Sequence, residues 1–84
     1  MIESDKNMLK AIDMLKQSKV IKFKTEAYLV MNLNTVYVHK VKNPDLEKYR
    51  NYYHFTAEHI RLFCTQYKIN ANFIYGFETN MYRK

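Results

Sequence analysis

Apolar residues recur at helical spacing in four places along this chain, and each stripe comes with a residue suited to start or stop a helix. Met8, Ala11, Ile12 and Leu15 form the first stripe, and Ser4 is placed to cap it, which predicts a helix from about Asp5 to Ser18. Val20 and Ile21 carry apolar contact past its end. Ala27 and Met31, four apart, predict a second helix of about two turns over Thr25 to Met31, and Asn32 follows as a residue able to adopt positive φ.

A third helix starts at Asn34 as N-cap, with Val38 and Val41 inward and Leu33 of the turn plugging the same core. Its opposite face carries Val36, His39, Lys40 and Asn43, with Thr35 beside them, and it fades at Asn43-Pro44 because the residue before proline is pushed out of helical geometry. Between Asp45 and His54 the pattern is polar and aromatic by turns, and Leu46, Tyr49, Tyr52 and Tyr53 suit a helical turn or an ordered loop. Thr56 then caps a fourth helix with Ile60, Phe63, Cys64 and Tyr67 inward, and Phe55 and Ile60 have the spacing of a hydrophobic staple. A short fifth helix, about Asn72 to Tyr75, ends at Gly76 as a left-handed cap, leaving 77–84 as a tail.

Composition supports an all-α fold of about five short helices in one domain, with its core over about residues 5–76. The chain has 84 residues, one glycine and one proline, too little material for hairpin turns. Thirteen aromatic residues, eight of them tyrosine, are enough for a core. The single cysteine, Cys64, falls in an apolar stripe, so a reducing compartment is expected. The N-terminus lacks a hydrophobic stretch and no apolar run is long enough to span a bilayer, which leads to the expectation of a cytoplasmic protein without membrane contact.

Charge is unevenly placed. The net formal charge is +6, and residues 16–42 alone hold Lys16, Lys19, Lys22, Lys24, Lys40 and Lys42 against Glu26, giving +5. That block coincides with the second and third helices, which together outline a helix-turn-helix with its turn at Asn32-Leu33-Asn34, and it favours a polyanion there. Catalysis finds no support: a lone glycine excludes phosphate-cradling loops, and no nucleophile is spaced with a base. No cofactor is expected. His54 and His59 lie five residues apart, about 140° around a helix, and two-residue metal knuckles are missing, so His54 reads as a loop residue and His59 as a surface residue at a helix start.

With the helix-turn-helix outline at Lys24 to Asn43, and with Phe55 to Gly76 reading as a capped amphipathic helix followed by Ile69-Asn70-Ala71-Asn72-Phe73-Ile74-Tyr75-Gly76, the chain resembles the lambda-repressor-like, Cro-repressor or XRE-type regulators of phages and Bacteroides-like bacteria. Met31, Leu33, Val38 and Val41 stand where that family places core apolar residues. Two positions depart from it: Tyr28 where a small residue is usual, whose ring must push outward or widen the helix crossing, and Asn32 where glycine is usual.

The resemblance implies a double-stranded-DNA-binding transcriptional regulator whose third helix enters the major groove. Thr35, Val36 and Lys40 would then reach base edges, with Asn34 and His39 as second-rank candidates. Lys24, Thr25, Lys42 and Asn43 would contact phosphates. Phe77, Met81 and Tyr82 could pack at a homodimer contact or fold back onto the first helix. The competing reading is a protein-interaction module or antitoxin-type partner, engaging a protein through Tyr37, Tyr49, Tyr52 and Tyr53.

Overall fold

Five helices appear in the computed structural model, which describes residues 2–44, 46 and 53–82: α1 Glu3–Gln17, α2 Lys24–Val30, α3 Thr35–Lys42, α4 Ala57–Tyr67 and α5 Ala71–Ile74. No strand occurs among the described residues, only an isolated antiparallel bridge between Ile69 and Tyr82. Among them, too, no helix is long and apolar enough to cross a membrane.

The stripes read from the sequence are the core. Met8, Ala11, Ile12 and Leu15 of α1 are buried with Ala27, Met31, Val38, Val41, Ile60, Phe63 and Cys64. Helix α1 packs against α2 and α5, and α4 packs against the same two, so α2 and α5 lie between them while α3 hangs from α2 on one side. Burying Val38 and Val41 anchors α3 by one face only and leaves the other to solvent.

Helix ends obey local chemistry. Asn34 Oδ1 accepts the Tyr37 N–H at 2.8 Å, and Thr56 Oγ1 accepts the His59 N–H at 3.3 Å, so both expected N-caps are in place. Phe55 and Ile60 flank the second cap, both buried, as a staple requires. Asn32 takes φ 58 and Gly76 φ 84, the left-handed values their positions demand.

Three local expectations are corrected. Helix α1 starts two residues early, at Glu3, with Ile2 at the cap position and no side-chain cap; Ser4 lies inside the helix, where Glu3 and Asp5 complement the dipole of the first turn. The fifth helix begins at Ala71 because Asn70 accepts the Asn72 N–H at 3.0 Å and so takes the cap. Of the two outcomes expected for Tyr28, the outward one does not occur: it is 5% exposed, part of the core under the α2–α3 connection.

The tail is part of the domain. Met81 is buried and its carbonyl accepts the Asn70 N–H at 2.7 Å, which ties it to the α4–α5 connection. The expected ordered turn at 45–54 lies mostly outside the described residues.

Candidate functional site

Successive helical residues rotate by about 100°, so Val36, His39 and Asn43 share the ridge of α3 directly opposite the buried Val38 and Val41. Lys40, about 40° from Val36, shares that outward face on the side of Tyr37, and Thr35 and Lys42 fall on the other flank. Val36 is 60% exposed, and Thr35, His39 and Lys42 are exposed. The short helix thus presents an apolar point between polar neighbours, with a lysine on each side.

The start of α2 and the start of α3 meet in one shallow cleft lined by Thr25, Tyr28, Leu29, Leu33, Asn34 and Thr35. Three of the residues singled out in the sequence, Thr25, Asn34 and Thr35, are therefore neighbours. The four-residue connection Met31 to Asn34 makes this possible, because Asn32 in the left-handed region turns the chain within a single step. The Leu33 N–H donates to the Tyr28 carbonyl at 2.9 Å, closing the end of α2 beneath the cleft.

Other candidates are engaged within the chain. Lys24 Nζ lies 2.5 Å from Asp13 Oδ1, and that hydrogen bond raises the lysine above its ordinary pKa; the pair draws Lys24 toward α1, beside Lys16 and Gln17. Asn43 Nδ2 donates to the His39 carbonyl at 2.7 Å and approaches His39 Nδ1 at 3.3 Å, so Asn43 closes the C-terminal turn of α3. Glu26, the lone acid of the basic block, accepts the N–H groups of Lys22 and Phe23 at 2.6 and 2.7 Å. Its charge is thus set on the α2 N-terminus, where a carboxylate is favoured.

A wall of aromatic and imidazole rings supports the Lys40 flank. Tyr37 Oη donates to the His54 carbonyl at 2.6 Å, and its ring meets those of Tyr53 and His59 edge-on, with centroids 5.5 and 5.7 Å away. Lys40 Nζ sits 4.7 Å from the Tyr53 ring centroid and 3.4 Å from its hydroxyl. Tyr37 is therefore half-buried and its hydroxyl committed, which removes it from the exposed tyrosines expected for partner binding. Tyr49 and Tyr52 lie outside the described residues.

His54 and His59 are more than loop and surface residues. His54 Nδ1 donates to Asp5 Oδ2 at 2.7 Å, and Asp5 Oδ1 accepts the Phe55 N–H at 2.8 Å; Asp5 is 1% exposed. Thr56 N–H donates to His59 Nδ1 at 3.1 Å, the return half of the α4 cap, and burial pushes His59 below its ordinary pKa against the weaker opposing pull of Glu58. The signal for Asp5 was present in the sequence: it heads the stripe Met8, Ile12, Leu15 at i+3, i+7 and i+10, which places it inward. Nothing local signals Tyr53.

Among the described residues no group of three or more histidine, cysteine or acidic side chains is arranged to hold a metal ion. Phe77 and Tyr82 are exposed while Met81 is in the core, so of the tail residues considered for a dimer contact only the first two face outward. No family model, no curated protein and no solved structure matches the chain.

Proposed function

We propose that this protein is a double-stranded-DNA-binding regulator of the helix-turn-helix, lambda-repressor-like kind, with α3 as the helix that enters the major groove. One observation carries the reading: the outward ridge of α3 combines an exposed Val36 with polar Thr35 and His39 between Lys40 and Lys42. A lone exposed apolar side chain is ordinary. Here it stands where an inserted helix meets base edges, and valine suits the methyl group of thymine.

Supporting this are the +5 charge of residues 16–42, the four-residue turn with left-handed Asn32, and the cleft that joins the starts of α2 and α3. Thr35, Val36 and Lys40 read bases, with Asn34 and His39 next to them. Thr25, Lys42 and Asn43 face the backbone, and Lys24 joins them when Asp13 releases it. A helix of eight residues, one face held by Val38 and Val41, is long enough to present two turns to a groove.

The test is binding to random duplex DNA over a salt series. The reading requires log affinity to fall steeply as log salt rises, since phosphate contacts release counterions. No measurable binding at low salt sinks it.

A second reading keeps one specific observation: Leu29 is 73% exposed at the cleft of Tyr28, Leu33 and Thr35, an apolar lining that suits a protein partner. Absence of DNA binding by a folded protein favours that module.

A further inference from the structure

Resting on the DNA reading, we propose that α3 recognises the 5-methyl group of a pyrimidine as such, through Val36. Duplex DNA carrying 5-methylcytosine is then a ligand beside thymine-containing sites, and cytosine methylation raises the affinity of a site.

Three observations lead there. The first is direction. Val38 and Val41 are buried, and at about 100° per residue the line opposite the middle of that pair passes close to Val36 and Asn43, with Lys40 on one side and His39 on the other. Asn43 turns its amide back to the His39 carbonyl at 2.7 Å. The foremost side chain in the first turn of α3 is therefore a valine.

The second is what surrounds it. Lys40 Nζ lies 3.4 Å from the Tyr53 hydroxyl, His39 Nδ1 lies 3.3 Å from the Asn43 amide, and Asn34 Oδ1 accepts the Tyr37 N–H at 2.8 Å. To meet a base edge through those atoms, each must share or exchange a bond already made within the chain. Val36, 60% exposed, gives up only water, and covering its surface is favourable.

The third is stiffness. A valine in a helix keeps one dominant rotamer, so its two methyl groups are presented in a single arrangement and little entropy is lost when a ligand covers them.

In the major groove the C5-methyl is the part of a base that an apolar side chain can touch. Thymine and 5-methylcytosine carry it on the same ring carbon and differ at position 4, an acceptor oxygen in one and a donor amino group in the other. The exposed Thr35 hydroxyl beside Val36 suits both, since it donates and accepts. No carboxylate stands on α3 to select cytosine by its amino group. The methyl group is left to decide.

The test starts from the site that the parent protein selects from a randomised duplex pool. Each thymine of that site is replaced in turn by uracil, and the position that responds is then filled with cytosine and with 5-methylcytosine, each paired with guanine. Uracil lacks only the methyl of thymine, and cytosine only that of 5-methylcytosine. Burying one methyl is worth about fourfold in affinity, so both pairs should differ by about that factor. In Val36→Ala both ratios should fall close to unity.

Equal affinity of the parent for thymine and uracil at every position overturns the proposal, as does a preference for thymine over uracil without one for 5-methylcytosine over cytosine. Ratios that persist undiminished in folded Val36→Ala overturn it too, because another side chain then meets the methyl. Should Val36→Ala fail to fold, Val36→Ser, which also removes both methyls, takes its place. A parent with no salt-dependent binding to any duplex defeats the DNA reading itself; a parent that binds but ignores the methyl defeats this proposal alone.

Discussion

Asp5 and His54, forty-nine positions apart, are joined by a 2.7 Å hydrogen bond that fastens the approach to α4 onto the first turn of α1. The same carboxylate accepts the buried Phe55 N–H, so one side chain satisfies two donors that the chain brings from far away. Replacing it strands a backbone group in the core.

Asp5→Ala should therefore destabilise by about 2 kcal/mol, the cost of a buried donor left without an acceptor. Asp5→Asn retains an acceptor for the Phe55 N–H and should lose less. Urea denaturation of the two variants measures the difference, and an Asp5→Ala protein as stable as the parent would remove the pair from the account of this fold.

His59 gives the fold a pH dependence of known sign. Burial lowers its pKa in the folded state, so the unfolded chain binds the proton more readily and stability rises with pH. The contribution is complete above the ordinary histidine value, about 6.5, and is lost as pH falls through that value toward the depressed folded one. Protonation also deprives the Thr56 N–H of its acceptor at Nδ1. Glutamine at this position completes a capping box without titrating. Melting temperatures of His59→Gln should fall less between neutral and mildly acid pH than those of the parent, and parallel curves would exclude His59 as the source.

Asp13 restrains Lys24. The pair is half-exposed, so its removal by Asp13→Asn should change stability by less than about 1 kcal/mol. It should nonetheless tighten DNA binding and steepen the salt dependence, because a cation at the start of α2 becomes free to meet a phosphate. Unchanged affinity and slope would place Lys24 outside the interface.

Under the proposed function, Val36 and Val41 should separate reading from holding. Val41 is buried, and Val41→Ala should cost about 2 kcal/mol through lost burial and the space left behind. Val36→Ala should leave stability within about 0.5 kcal/mol of the parent and alter sequence preference, as expected of an exposed side chain that touches only the ligand. If selection from a randomised duplex pool returns the same preferred sequence for Val36→Ala, the ridge of α3 is not the reading face.

Much of what depends on spacing within one element was legible in the sequence, though not the start of α1 ahead of Ser4 or the Asn70 cap of α5. Met8, Ala11, Ile12 and Leu15 define α1 because neighbouring turns place them on one face, and Asn34 and Thr56 cap their helices through bonds only three residues long. The all-helical class and the exposure of Val36 follow from the same logic. Contacts between distant parts of the chain carry no such local mark. Tyr53 under Lys40, His54 on Asp5 and Met81 against Asn70 each depend on how the elements meet. Tyr28 shows the same limit: its bulk at a close helix approach reads as a clash, yet the ring is taken into the core.

The Asn7 amide of α1 donates to the carbonyls of Phe73 and Ile74 at 3.2 and 3.0 Å, a link between positions at opposite ends of the sequence. Gly76 lies against Glu3 at the same junction, where an added Cβ would come within 3.2 Å of the glutamate stem. Opening of α1 and of α5 should then be coupled, because loosening α1 releases the carbonyls that close α5, and loosening α5 strands the amide on α1. The two helices should open as one cooperative unit, with their backbone amides exchanging with solvent deuterium at matching rates.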